Sequence, residues 1–123
     1  MTDLHPILSA AEKDFDQSLE RLFALCRIPS ISTDPAHAAE VAGRYFDLAL
    51  AHGTTSMCSF ATIHPESVDA FFTAARSRGM RAWAGKTCMD RNAPDGLRDT
   101  ARSAHDDSAR LLGKWHGVDR LSY

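Results

Sequence analysis

The residues best suited to chemistry are six histidines: His5, His37, His52, His64, His105 and His116. Catalytic zinc takes three protein ligands and keeps an open position for water. Ligand pairs on one strand end or one helix face stand at HxH or HxxxH spacing. No two of the six are so spaced, and no CxxC accompanies any of them. His105 precedes Asp106 and Asp107, but adjacent residues on a helix point about 100° apart, so the three are not expected to converge. His64 stands before Pro65 at an expected strand end, facing the side where a substrate would lie, with helix capping or plain exposure as the competing role. Asp90 and Asn92 follow the next expected strand. Asp90 is a candidate general base or the cap of a turn through an Asx bond, the turn being favoured, and Asn92 is a similar case. Lys86 reads as a surface or salt-bridge lysine rather than a Schiff-base nucleophile, which would need burial. The expectation is therefore no metal, no cofactor and no catalytic set, with His64, Asp90 and Asn92 as candidates for a pocket wall.

Other chemistries find less support. There is no GxSxG elbow, and Ser56 and Ser59 fall inside an expected strand. Gly85-Lys86-Thr87 echoes the end of a phosphate loop without its upstream glycine. Cys26, Cys58 and Cys88 are odd in number and about thirty residues apart, so they form neither a disulfide framework nor a zinc knuckle. Three reduced, mostly buried thiols are expected, Cys58 and Cys88 each in a strand.

These residues must be positioned by a strand–helix–strand unit over 53–92. Residues 54–62 mix β-branched, aromatic and small apolar side chains, as suits a strand covered on both faces. Pro65 suits the first position of a helix, whose stripe is Val68, Phe71, Phe72 and Ala75. Gly79 closes that helix, and 81–88 is the second strand, parallel to the first through a crossover. The unit places His64, Asp90 and Asn92 at the C-terminal ends of strands, where ligands gather in such folds. Before it, 7–26 reads as a helix with Leu8, Ala11, Phe15, Leu19, Leu22 and Cys26 in one stripe, Phe23 beside it, and Glu12, Lys13, Asp16, Gln17 and Glu20 opposite. Asp34 and Pro35 suit the start of a second helix over 35–50, with Ala38, Val41, Tyr45 and Leu48 on one face. After an APDG turn, 97–116 reads as the last helix, with Leu97, Ala101, Ala104, Ser108, Leu111, Leu112 and Trp115 inward and Gly117 closing it. The segment from Arg120 onward reads as the start of a third strand.

A chain of 123 residues carries one domain with a core, about half of what a complete (β/α)8 barrel needs. Net charge is −2 at pH 7, with Lys and Arg scattered, so neither nucleic acid nor an acidic membrane surface is an expected partner. No apolar run approaches a membrane span, and the acidic start of the sequence does not read as a signal peptide. A cytoplasmic chain is expected.

Two resemblances follow from particular words. GTTS, FATIHPESVDAFF, GKTCMDRNAPDGLRDTA and DDSARLLGKWHG, over 52–123, resemble guanine deaminases of the amidohydrolase superfamily. SLERLFALCRIPSISTDPAHAAEVAGRYFDLAL, within 7–50, resembles less specifically the opening of di-zinc metallopeptidases of the acetylornithine deacetylase and dipeptidase type. Together they imply a chimeric chain, with a helical segment over 1–51 and a βαβα segment over 52–123. The alternative is a natural small α/β domain. The implied fold is α/β: part of a (β/α) barrel, two to three parallel strands covered by four helices. The resemblance also implies a parent reaction, zinc-dependent hydrolysis of guanine to xanthine and ammonia. It places the zinc ligands of that family, an HxH pair, two later histidines and an aspartate, outside this sequence. It leaves three readings: a deaminase-derived chain inactive by itself, with weak purine binding at most; a module that assembles through exposed strand edges; or a fused, metallopeptidase- or deaminase-derived product without a selected function.

Overall fold

The computed structural model describes residues 4–30 and 35–123. The expected N-cap Asp34 lies outside the described residues. The elements are α1 (His5–Cys26), a 3-10 turn (Pro35–His37), α2 (Ala38–Ala51), β1 (Ser56–Phe60), α3 (Pro65–Ser77), β2 (Arg81–Gly85), a second 3-10 turn (Asp95–Leu97), α4 (Ala101–Trp115) and β3 (Leu121–Ser122). The three strands form one parallel sheet in the order β1-β2-β3. This is the expected α/β architecture of four helices and a partial parallel sheet.

Register explains which face is buried. Met57 pairs with Ala82 and Ala82 with Leu121, one row that faces the helices. Cys58 pairs with Trp83 and Trp83 with Ser122, the next row, which points the other way because side chains alternate along a strand. The covered face packs on Val68, Phe72 and Ala75 of α3, Ala42 and Phe46 of α2, and Leu111 and Trp115 of α4. Ala82 and Ala84 are small, so the helices can approach the middle strand closely. Aromatic rings run through this layer in sequence: Tyr45 against Phe46, Phe46 against Phe71 at 4.8 Å, Phe71 against Phe72, and Phe72 against Trp115 at 5.5 Å between centroids. Edge and tilted contacts of this kind add to the area that the rings bury.

The punctuation of α3 matches the sequence reading. Pro65 opens it, Val68, Phe71, Phe72 and Ala75 are buried, and Gly79 after it takes φ +64°. Gly117 does the same after α4 with φ +77°. Asp69 of α3 accepts hydrogen bonds from Trp115 Nε1 at 2.6 Å and Lys114 Nζ at 2.8 Å, which ties α3 to α4. Arg78 ties α3 to α2 by donating to Asp47 at 2.8 Å and to the Gly43 carbonyl at 3.2 Å.

Several expectations are corrected. The sheet is covered on one face, not two: Phe60 is 92% exposed and Trp83 41%, because α2, α3 and α4 all pack on the other side. In α2 the deepest residues are Ala42 and Phe46, one position on from Val41 and Tyr45. This helix is apolar around much of its circumference, so periodicity did not single out one face. The last helix begins at Ala101, not Leu97. Thr100 caps it by accepting from the Ser103 amide at 3.0 Å, Ser103 returns the bond to the Thr100 amide, and Leu97 lies in a 3-10 turn. Leu112, expected inward, is 45% exposed. The apolar stripe of α1 is mostly uncovered: no residue of that helix is fully buried, and of the stripe only Leu19 is half-buried. Cys26, Cys58 and Cys88 are all exposed, and Cys88 lies beyond the end of β2. Cys58 is exposed because it belongs to the open row. Among the described residues, no helix is long and apolar enough to cross a membrane.

Two measurements check this packing. Phe72→Ala should lower unfolding stability by about 3–5 kcal/mol, as fully buried aromatic truncations do, while Phe60→Ala should stay within about 0.5 kcal/mol; urea titrations of both variants decide. Burial alone raises the pKa of Asp69, but the bonds from Lys114 and Trp115 outweigh it and hold the carboxyl below its ordinary 3.8. A depressed carboxylate contributes stability that is fully present above its unfolded pKa and lost as pH falls through its folded one. Asp69→Ala should therefore cost about 1–3 kcal/mol at neutral pH, and its gap from the parent should shrink as unfolding is followed below about pH 4.

Candidate functional site

The site is built where β1 and β2 end. The two segments stay paired beyond the strands: Ala61 N–H donates to the Gly85 carbonyl at 3.0 Å, Thr87 N–H to the Thr62 carbonyl at 3.2 Å, and Thr87 Oγ1 to the Ala61 carbonyl at 2.6 Å. These bonds set the loop carrying His64 beside the loop that leads to Asp90.

The base of that second loop is a buried ion pair. Lys86 Nζ donates to Asp99 Oδ2 at 2.5 Å, with side-chain exposures of 0% and 9%. Nζ also donates to the Thr87 carbonyl, and the Met89 amide reaches the same Asp99 oxygen at 3.4 Å. The Lys86 amide donates to Tyr123 Oη at 3.3 Å, which anchors the loop to the end of β3's chain. Lys86 is thus a salt-bridge lysine, as expected, but it is buried and not at the surface. Its partner was missed. Asp99 stands in the polar run 95–100 and read as the first turn of a helix; the only sequence signal was Thr100 with Ser103 three residues on, a capping pattern with serine in place of Glu or Gln.

His64 is the N-cap residue of α3 in extended conformation, φ −78° and ψ 123°, without a side-chain capping bond. Its amide donates to Thr62 Oγ1 at 3.2 Å, and Ser67 Oγ satisfies its carbonyl at 2.8 Å. The half-buried imidazole lines a cavity of about 370 Å³ with His37, Tyr45, Ser59, Phe60 and Phe71. His37 approaches Glu40 Oε2 at 3.3 Å. This cavity is mostly apolar with a few hydroxyl and imidazole groups, the composition that small-ligand sites show.

Asp90 and Asn92 are exposed and do not line that cavity. Asp90 pairs with its neighbour Arg91 at 3.4 Å. Asn92 takes φ 58°, a left-handed conformation that asparagine tolerates better than most residues. Its place in the structure is therefore a backbone turn. His105 does meet Asp106, at 3.1 Å, while Asp107 turns to Arg110 at 3.7 Å, so the three do not share one centre. Among the described residues, no three His, Cys, Asp or Glu side chains come together in a way that could hold a metal ion.

A parallel β-α-β-α-β unit with ligand-class residues at its strand ends is a barrel or doubly-wound segment by class. Comparison with known proteins narrows this. The chain is 47% identical over 90 residues to guanine deaminase from Escherichia coli, a match that takes in 73% of this chain and 20% of that protein. It is 41% identical over 81 residues to guanine deaminase from Dictyostelium discoideum, 66% of this chain and 18% of that one. The solved structure of the E. coli enzyme superposes with a TM-score of 0.70 at 46% identity, over 73% of this chain and 21% of the other. The crystal structure of guanine deaminase from C. acetobutylicum with bound guanine in the active site superposes with a TM-score of 0.68 at 26% identity, again over 73% of this chain and 22% of that one. No family model matches. The chain spans about a fifth of the length of the curated relatives it matches. Over the matched part it is guanine deaminase-like.

The length of the match carries further information. Only 72 residues lie in 52–123, so at least 18 of the 90 matched ones precede His52. The similarity thus takes in α2, the helix that packs most extensively on α3. The similarity to guanine deaminases therefore begins earlier than 52, inside the segment expected to resemble a metallopeptidase.

Breaking the ion pair is the test of the loop's anchor. Lys86→Met leaves Asp99 buried without its cation and should cost about 3–5 kcal/mol in urea unfolding, whereas Lys86→Met with Asp99→Leu should recover most of that loss.

Proposed function

We propose that residues from α2 onward form a guanine deaminase-like segment that supplies one wall of a purine pocket and does not complete deamination by itself. The observation that carries this reading is a contrast. The similarity runs through both strand ends, yet among the described residues no three metal-ligating side chains gather. Hydrolytic deamination replaces an amino group on a ring carbon with oxygen from water and releases ammonia. In the zinc enzymes the metal supplies a hydroxide at neutral pH. The donor set described here does not fit such an ion, so no step is routed through one. What the chain's own residues offer is contact: the His64 imidazole and the Ser59, Thr62 and Ser67 hydroxyls beside an apolar cavity. A planar purine with polar edges suits that lining, with weak affinity. Asp90 and Asn92 would touch it only across the neighbouring loop.

A second reading is a metallopeptidase-derived fragment over 7–50, or a fused module that assembles without enzymatic function. One observation favours it: α1 has no residue buried against the rest of the chain.

Two assays separate these. Incubated with guanine and added zinc, the purified chain should form no xanthine above a His64→Ala/Asp90→Ala control, and metal analysis should find no stoichiometric zinc. Turnover that depends on those two residues overturns the proposal. Guanine added to the parent chain should perturb the His64 imidazole resonances with millimolar affinity, on the order of −4 kcal/mol, and an unperturbed spectrum removes the pocket-wall reading.

A further inference from the structure

The first helix presents an apolar surface that the rest of the chain leaves largely uncovered, with Leu19 half-buried and Arg27 lying over the Phe23 ring at 5.8 Å. Leu4 just before α1, and Ile7, Leu8, Phe15, Leu22 and Phe23 within it, are 43–62% exposed. At roughly 200 Å² for a large side chain, they leave about 700 Å² uncovered. That exceeds the largest apolar patch of most soluble monomers and approaches the ~800 Å² that each partner contributes to a stable interface.

The spacing of this stripe is symmetric. Ala11 and Leu19 stand four residues either side of Phe15, Leu8 and Leu22 seven, Ile7 and Phe23 eight, and Leu4 and Cys26 eleven. Steps of four, seven and eleven return to within about 40° of the same side of a helix, and steps of eight to about 80°. Reversing α1 end for end about Phe15 therefore lays the stripe on itself. Self-complementarity under a two-fold is what an isologous interface requires.

We infer that α1 docks antiparallel on α1 of a second copy of this chain, with Phe15 against Phe15 at the two-fold and Leu8 against Leu22. Direction follows from the helix dipoles. Antiparallel helix dipoles attract. Asp14 pairs with Arg21 at 2.8 Å and Glu20 with Arg27 at 3.5 Å within each helix, so these four charges favour neither orientation. This interface uses none of the strand edges and does not rest on the purine-pocket reading.

Sedimentation velocity of the full chain over a concentration series should show a monomer–dimer equilibrium. Phe15→Glu should raise the dissociation constant at least tenfold while leaving far-UV circular dichroism and tryptophan fluorescence unchanged, since α1 contributes nothing to the core. Orientation is read by cross-linking with Cys26→Ser, Cys58→Ser and Cys88→Ser as background. Leu8→Cys mixed with Leu22→Cys should form disulfide dimers faster than either protein alone. A monomer at all concentrations overturns the inference. So does association undiminished by Phe15→Glu, which would assign it to the strand edges, and so does preferential cross-linking of Leu8→Cys to itself.

Discussion

Parallel neighbouring strands cannot be joined by a hairpin, and nearly everything in this fold follows from that constraint. Each return from β1 to β2 and from β2 to β3 needs a crossover of a dozen residues or more, and α3 and α4 are those crossovers. Both land on the face carrying Met57, Ala82 and Leu121, and α2 joins them there. One layer of helix on one layer of sheet is the result. The other face, with Cys58, Phe60 and Trp83, has no cover, although parallel sheets are ordinarily buried on both sides.

The same constraint brings the chemistry-bearing residues to one end of the sheet. Strands that run in parallel end together, so His64 and Asp90 sit on adjacent loops although 26 positions separate them. The loop after β2 is long and polar, and its position depends on the Lys86–Asp99 pair beneath it. Such a buried pair adds little net stability, because desolvation offsets most of the attraction, but losing one partner leaves the other charge buried alone. Here it closes the loop 86–99, in which Asp90, Arg91 and Asn92 face solvent while Ala93 is buried.

The first helix stands apart from this logic. α2 packs into the aromatic layer and lies within the similarity to guanine deaminases, whereas α1 touches α2 at few points and keeps most of its apolar stripe in water. A self-complementary stripe on a helix without a place in the core has an outlet in a second copy of itself.

What the sequence alone determined was local. The apolar spacing of Val68, Phe71, Phe72 and Ala75, Pro65 before them and Gly79 after them specify α3 and its buried face, because helical period and backbone freedom are properties of short segments. The words around His64 and 86–92 specified the resemblance for the same reason. Only the tertiary structure decided burial. Periodicity marks an apolar face without saying whether anything lies against it, so α1 and α4 read alike although α4 is packed and α1 is not. It could not choose between Tyr45 and Phe46 in a helix apolar on both sides. Nor could it pair Lys86 with Asp99, since an ion pair across thirteen residues exists only once the loop between them has closed.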